Sequence, residues 1–178
     1  MDSHLLVIGG RSGVGKSSVA SALHDLLAAA RVRHAVVEGD ALDLAWPPPW
    51  EHRLAERNLR AVWTGYRDLG HRRLVYTNTV SVLQADDLAA AMGDDPHVTA
   101  VLLTADDATT DERLAGREHG TSLAAHQARS RAAAAALDSG APEVTHRVTT
   151  EGRTVGEVAA LVAELWLGDR SSWPTDGA

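Results

Sequence analysis

The sequence predicts a three-layer α/β fold in which a five-stranded parallel sheet is covered by helices on both faces. Two observations support this prediction. Short apolar runs alternate with helical patterns along the chain, and parallel strands need such helices as crossovers. The first apolar run also leads directly into a glycine-rich loop followed by a helix, a unit that recurs in folds of this class.

The five predicted strands are the apolar runs at residues 4–8, 33–38, 73–79, 98–103 and 145–149. The helical patterns cover about residues 15–30, 51–69, 81–92, 107–117, 122–137 and 154–167, and the sequences at Ser81 and Thr154 fit capping boxes. Residues 46–50 contain three prolines and are predicted to be an extended connector. We therefore expect one domain over residues 1–167, followed by a disordered polar tail at 168–178.

The composition is that of a globular protein, with 44% hydrophobic and 23% charged residues in a chain of 178. This length suits one domain with a sizeable core. The net charge of −7 argues against a nucleic-acid partner, because binding to phosphates usually requires a basic surplus. The chain has no cysteine, which excludes disulfides and zinc–thiolate sites.

The apolar segments are too short for a membrane span, which needs about 20 apolar residues. The run at residues 5–8 is also too short for the apolar part of a signal peptide. We therefore expect a cytoplasmic protein without a membrane partner, and the sequence makes no prediction about its oligomeric state.

The glycine-rich loop has the complete pattern of a phosphate-binding P-loop. In this pattern, backbone N–H groups and the following helix N-terminus surround the phosphates of a nucleotide. Lys16 is expected to reach the β- and γ-phosphates, and Ser17 to offer its hydroxyl to Mg²⁺. The alternative is a tight turn with no ligand, but the strand–loop–helix context argues against it. The predicted nucleotide-binding residues in and after the loop are Gly10, Ser12, Gly13, Val14, Gly15, Lys16, Ser17 and Ser18.

The loop and the order of elements together resemble the small P-loop kinases, such as the shikimate, gluconate and adenylylsulfate kinases and chloramphenicol phosphotransferase. Tyr76-Thr77-Asn78-Thr79-Val80 and residues 102–137 are also similar to the tunicamycin-resistance ATP-binding proteins. The resemblance implies a P-loop NTPase fold with strand order 2-3-1-4-5 and a helical lid at about residues 116–140. It also implies ATP and Mg²⁺ as cofactors, and phosphoryl transfer to a hydroxyl of a small molecule, an antibiotic or a metabolite.

Asp40 is the predicted catalytic acid–base residue. It follows the second strand, where kinases of the resembled group place an acid facing the γ-phosphate. A carboxylate there accepts the proton of the acceptor hydroxyl or holds a metal-bound water. Asp40 is therefore predicted to be a catalytic residue together with Lys16, and a metal-site residue together with Ser17. The alternative is that Asp40 caps a short helical turn.

Arg113 and Arg117 share one face of the predicted helix at residues 107–117, because they are four residues apart. The resemblance implies that Arg113 lies over the adenine and that Arg117 reaches the phosphates as a catalytic residue. A guanidinium suits both roles through stacking and forked hydrogen bonds. The alternative is a solvated face balanced by neighbouring acids. For Arg129 and Arg131 in the lid, the two interpretations are stabilisation of transition-state charge on the γ-phosphoryl group and surface salt bridging, and the second is favoured.

The third strand ends in Thr77-Asn78-Thr79 and lacks the aspartate of a conventional Walker B motif. Polar residues at a strand's carboxyl end are well placed for ligand contact, although local hydrogen bonding explains them equally. Mg²⁺ would then depend on Ser17, with Asp40 through water.

The helix after the second strand is the expected wall of the acceptor site. Its predicted buried face consists of Ala55, Leu59, Val62, Tyr66 and Leu69. Its arginines lie nearly opposite and favour a solvated face, but an anionic acceptor is implied if one or two turn inward. Aromatic residues offer a second possible wall, for an apolar or sugar-like acceptor. The arginines are Arg53, Arg57, Arg60 and Arg67, and the aromatics are Trp46, Trp50, Trp63 and Tyr66.

Three other functions compete with the kinase prediction. The first is a nucleotide-binding switch or sequestering protein with little catalysis, which the tunicamycin-resistance resemblance implies. The second is a nucleic-acid kinase, which the negative net charge disfavours. The third is GTP specificity, and the absence of an Asn-Lys-x-Asp motif favours ATP over GTP.

Overall fold

The computed structural model describes residues 2–116 and 123–174. The strands in chain order are β1 (His4–Gly9), β2 (Ala35–Glu38), β3 (Arg73–Thr77), β4 (His97–Thr104) and β5 (His146–Thr149). The helices are α1 (Lys16–Ala29), α2 (Leu54–Asp68), α3 (Ala85–Met92), α4 (Asp107–Ala115), α5 (Leu123–Gly140) and α6 (Val155–Leu167). None of the helices in these two ranges is long and apolar enough to cross a membrane.

The five strands form one parallel sheet in the order β2-β3-β1-β4-β5. This order confirms the predicted fold class. The central strand β1 pairs with both β3 and β4, and Ile8 lies level with Thr77 on one side and Val101 on the other. The carboxyl ends of β1, β2 and β3 therefore meet at one edge of the sheet, and the glycine-rich loop begins there.

The two faces of the sheet bury separate hydrophobic clusters, because successive side chains of a strand point to opposite faces. In β1, Leu6 and Ile8 join α1 and α6 on one face, whereas Leu5 and Val7 join α2, α3 and α5 on the other. All four side chains are fully buried, as expected for a strand covered on both sides.

One of the two predicted capping boxes is confirmed. At the start of α6, Thr154 Oγ1 accepts a hydrogen bond from the Glu157 N–H, and the Glu157 carboxylate accepts one from the Thr154 N–H. The predicted box at Ser81 is wrong. Residues Ser81–Leu83 form a separate 3-10 turn, and α3 begins after Gln84 without a side-chain cap. The Ser81 hydroxyl instead donates to the Asn78 carbonyl, at 3.2 Å.

The prediction of a disordered tail from Gly168 is wrong for residues 168–174. Arg170–Ser172 form a 3-10 turn that Asp169 caps through its side chain. Trp173 packs into the cluster with α1 and α6 and is only 9% exposed, and its indole N–H donates to the Gly168 carbonyl at 3.0 Å. The prediction relied on the polar composition of the tail and overlooked Trp173. Burial of this side chain outweighs the conformational entropy that is lost when a short turn becomes ordered.

The Trp173→Ala variant tests this packing. We expect it to lower the free energy of unfolding by roughly 2–4 kcal/mol, because a buried indole is replaced by a cavity. Trp46→Ala is the matched control, since Trp46 is 90% exposed, and we expect a change within about 0.5 kcal/mol. Urea denaturation of both variants gives the comparison, and equal midpoints would show that Trp173 does not contribute to the core.

Candidate active site

The loop between β1 and α1 has the backbone shape of a phosphate cradle. Gly10, Gly13 and Gly15 all have positive φ values, of 145°, 85° and 106°. A Cβ atom at Gly10 would lie 2.7 Å from the Leu103 carbonyl oxygen, and a Cβ atom at Gly13 would lie 2.9 Å from that of Thr110 in α4. The loop therefore needs glycine at both positions for its conformation, and at Gly13 also for its close approach to α4.

The N-terminus of α1 is open to an anion. Gly15 is its N-cap, no side chain caps the helix, and its first turn contains no acidic residue. Its first N–H groups are therefore available to a ligand phosphate, which the helix dipole also favours. Lys16 Nζ lies against the loop and donates to the carbonyls of Gly10, at 2.8 Å, and Arg11, at 3.3 Å. These features fit the phosphates of a nucleotide.

The remaining predicted nucleotide-binding residues lie in or beside this loop. The Ser12 carbonyl accepts a hydrogen bond from Ser130 Oγ at 3.0 Å, and Val14 is fully buried in the core. Ser17 and Ser18 are in the first turn of α1, Ser17 exposed and Ser18 partly buried.

Glu38 is a candidate metal-site residue that the sequence analysis missed. It is the last residue of β2 and lines the same cleft, of about 460 Å³, as Ser17. Its carboxylate accepts a hydrogen bond of 2.6 Å from the hydroxyl of Thr77, its partner in the β2–β3 register, and Thr77 is fully buried. The position at the carboxyl end of a parallel strand was the available signal.

Glu38 and Ser17 provide hard oxygen donors of the kind that Mg²⁺ prefers. The predicted partner of Ser17, Asp40, lines a different cavity. In the described ranges, no group of three or more His, Asp or Glu side chains gathers as a self-sufficient metal site. This suits Mg²⁺, which is usually held by one or two protein oxygens together with substrate phosphates.

Asp40 lines a cavity of about 450 Å³ beyond the carboxyl ends of β2 and β3. Asp40 is in the 3-10 turn Gly39–Ala41, where no side-chain cap bond is formed, so its interpretation as a capping residue is not supported. Asp40 Oδ1 instead accepts a hydrogen bond of 2.7 Å from the Asn78 amide. Residue Thr79, next to Asn78, accepts a bond from the Gly10 N–H at 3.0 Å, so this edge adjoins the phosphate loop.

Arg113 is partly buried against the loop rather than solvated. Its guanidinium donates to the Val14 carbonyl at 3.2 Å and to the Thr150 hydroxyl at 3.1 Å. This places it between the phosphate loop and the segment after β5. Its predicted partner Arg117 lies outside the described residues.

Arg11 and Ser130 form a connection that the sequence analysis missed. Arg11 is 4% exposed although it belongs to the loop, and its Nε donates to Ser130 Oγ at 2.9 Å. A second guanidinium nitrogen pairs with Asp107 at the start of α4. The loop is therefore tied to α4 and α5 by a buried arginine, and no local sequence pattern signals this.

The predicted lid at residues 116–140 is only partly described. Residues 117–122 lie outside the described ranges, and the rest is mainly α5, which buries Ser130 and Leu137. Arg131 forms an ion pair with Asp111 on α4, whereas Arg129 is exposed. For Arg131 this favours the surface ion-pair interpretation.

The predicted buried face of α2 is partly wrong, and so is the aromatic wall. Leu59 and Trp63 are fully buried, whereas Leu69, assigned to the buried face, is 70% exposed. Trp63 is therefore a core residue and Trp46 faces solvent, while the side chain of Trp50 lies outside what the structure describes. The aromatic side chain that does line the cavity is Tyr76, from β3.

Three of the four arginines predicted along this helix have partners on the protein. Arg53 pairs with Glu56 at 3.1 Å and Asp87 at 2.7 Å. Arg60 donates to the Ala90 carbonyl at 3.3 Å, and Arg67 pairs with Asp94 at the same distance. Only Arg53 lines the cavity at Asp40, so the structure does not support the anionic acceptor that inward-facing arginines would imply.

The chain is similar in structure to several P-loop proteins. A tunicamycin-resistance protein from Deinococcus radiodurans is 21% identical, with a TM-score of 0.59 over 90% of this chain and 94% of that one. A gluconokinase from Sinorhizobium meliloti is 19% identical, with a TM-score of 0.57 over 93% and 90%. The adenylylsulfate (APS) kinase of Mycobacterium tuberculosis, in complex with AMPPNP and APS, is 22% identical, with a TM-score of 0.56 over 92% and 97%. No protein-family model and no curated protein matches the sequence.

Proposed function

We propose that the protein is an ATP- and Mg²⁺-dependent phosphotransferase that phosphorylates a hydroxyl group of a small molecule. The observation that supports this most directly is the meeting of two features at one edge of the sheet. A P-loop with an open helix N-terminus adjoins a cavity of about 450 Å³, and Asp40 lines that cavity. Structural similarity to a gluconokinase and an APS kinase is consistent with this chemistry.

The loop residues hold the triphosphate of ATP. The N–H groups at the start of α1 bind its phosphates, and Lys16 moves from the loop carbonyls to the β- and γ-phosphates. Ser17 and Glu38 would hold Mg²⁺, which when bound neutralises charge on the phosphate oxygens. Arg113, beside the loop, is placed to contact the nucleotide.

Asp40 positions and deprotonates the acceptor hydroxyl. Asn78 occupies one carboxylate oxygen of Asp40, which leaves the other for the hydroxyl proton. As the acceptor oxygen bonds to the γ-phosphorus, the bond from the γ-phosphorus to the bridging oxygen breaks and ADP leaves. Positioning and charge stabilisation supply most of the rate, and proton removal adds to them.

Transfer of labelled phosphate from [γ-³²P]ATP to hydroxyl-bearing metabolites and antibiotics tests this function. We expect at least one compound to become labelled, with ADP released in equal amount. The competing function, sequestration of a ligand without catalysis, predicts tight binding of ATP or drug and no labelled product. Binding without any transfer across the panel would therefore favour the sequestering protein.

A further inference from the structure

We propose that the acceptor is a polyhydroxy compound carrying a protonated amine, such as an aminocyclitol, and that it binds in the cavity at Asp40. This inference rests on the proposed phosphotransferase function, which it deepens by naming the class of acceptor. The cavity has about 450 Å³, enough for one sugar-sized ring with its substituents.

The charged side chains that line this cavity are mostly acidic. They comprise four carboxylates and one guanidinium, with a formal net charge of −3: Asp40, Asp43, Glu56, Asp87 and Arg53. Arg53 is already engaged by Glu56 and Asp87. Within residues 2–116 and 123–174, no cationic side chain forms an ion pair with Asp40 or Asp43. These two carboxylates therefore face the cavity without a positive partner, and a cationic ligand would supply one.

The hydroxyl of Tyr76 is a second feature that points to a ligand. Tyr76 is 2% exposed, lines the cavity, and has no hydrogen-bond partner for its hydroxyl among the described residues. The hydroxyl opens on the cavity and is not fully enclosed by the protein, so a ligand bound there can donate to it or accept from it. Gly39 leaves the room for this hydroxyl, because a Cβ at that position would overlap the phenol oxygen.

The electrostatic environment of Tyr76 agrees with this placement. Burial raises the pKa of Tyr76 to about 12, and the negative charges of Asp40, Asp43 and Glu56 add to the increase. The phenol therefore stays protonated and neutral, as a donor or acceptor for a ligand hydroxyl or amine. The same field that opposes a phenolate opposes an anionic acceptor and attracts a cation.

The rest of the cavity surface suits the ring of such a compound. Leu54, Ala55 and Leu88 provide apolar surface, and Gln84 and Asn78 provide polar groups. A ring with axial and equatorial hydroxyls can place its carbon atoms against the apolar side chains and its hydroxyls against the polar groups. An acceptor that carries carboxylate, sulfate or phosphate would meet uncompensated carboxylates instead.

Three cyclohexane polyols that differ in charge test the inference: streptamine, a diamine; myo-inositol, which is neutral; and quinate, a carboxylate. Their dissociation constants are measured by calorimetry on the full chain with AMPPNP and Mg²⁺. We expect streptamine to bind most tightly and quinate most weakly. Asp43→Asn should weaken streptamine binding about three- to tenfold and leave myo-inositol binding unchanged. Asp25→Asn, which removes an exposed charge on α1, is the matched control and should change neither.

Phosphoryl transfer to the same compounds separates this inference from the proposed function. Preferential binding of streptamine without transfer would support the cationic class and contradict the phosphotransferase. Transfer to quinate, or binding of streptamine no tighter than that of myo-inositol or quinate, would overturn the cationic class. Tight binding of streptamine that Asp43→Asn leaves unchanged would also overturn it, because the amine would then be held elsewhere.

Discussion

Lys16→Met should reduce ATP-dependent phosphoryl transfer by about 10²- to 10³-fold, the usual effect of removing one donor that stabilises transition-state charge. Lys16 is in the first turn of α1 and its ammonium lies over the loop, 2.8 Å from the Gly10 carbonyl. Methionine keeps the length of the side chain without its charge. Turnover of [γ-³²P]ATP with an active acceptor is the measurement.

The sequence offers an independent readout for the same residue, because Lys16 is its only lysine. An amine-directed reagent such as trinitrobenzenesulfonate therefore modifies one side-chain amine in the folded protein. We expect ATP and Mg²⁺ to protect this amine, as mass spectrometry of the loop peptide would show. Arg57→Met, which removes an exposed charge from α2, is the control and should keep full activity. Full activity of Lys16→Met, or labelling unaffected by ATP, would remove Lys16 from the site.

The fold and the phosphate loop could be predicted because their signals are local. The strands buried on both faces are continuous apolar runs, and residues 10–17 contain the whole loop pattern in sequence. A glycine at position 13 allows both the loop conformation and the close contact with α4, so the local sequence pattern is sufficient to predict the shape of the loop.

The contacts between distant segments could not be predicted in the same way. Arg11 bonds to Ser130, 119 residues away, and nothing near either residue indicates the other. In α2, Leu59 lies on two overlapping apolar stripes, one through Val62 and Leu69 and one through Trp63. The second stripe is buried because α3 presents Leu88 and Met92 to the same cluster. Such a choice depends on the neighbouring helix, which the periodicity of one helix does not contain.

The roles of the two acidic residues near the end of β2 could not be predicted from the local sequence either. The sequence places Glu38 and Asp40 two residues apart at the end of one strand, and the prediction used only Asp40. In the structure, Glu38 lines the cleft that contains Ser17, whereas Asp40 lines the cavity that contains Tyr76. Which carboxylate faces which ligand depends on the register with β3, where Glu38 lies beside Thr77.

Asp40→Asn should lower acceptor-dependent turnover by about 10²- to 10⁴-fold, the range for loss of a general base. The amide keeps the size of the side chain and its contact with Asn78, but it cannot accept the hydroxyl proton. Because Asp40 lies outside the loop, the KM for ATP should stay close to that of the unmodified protein. Single-turnover transfer from [γ-³²P]ATP to a saturating acceptor measures the chemical step directly.

Asp86→Asn is the matched control for this variant, because Asp86 is exposed in the first turn of α3 and does not line the cavity. We expect it to keep full turnover. A decrease in the kcat of Asp40→Asn, with or without a change in the KM of the acceptor, indicates proton removal, whereas an increase confined to the KM of the acceptor indicates positioning alone. The first result is expected, because the cavity at Asp40 adjoins the phosphate loop through Thr79 and Gly10. Unchanged turnover with an active acceptor would exclude Asp40 as the base, and Glu38 would then be the nearest carboxylate to test at the same sheet edge.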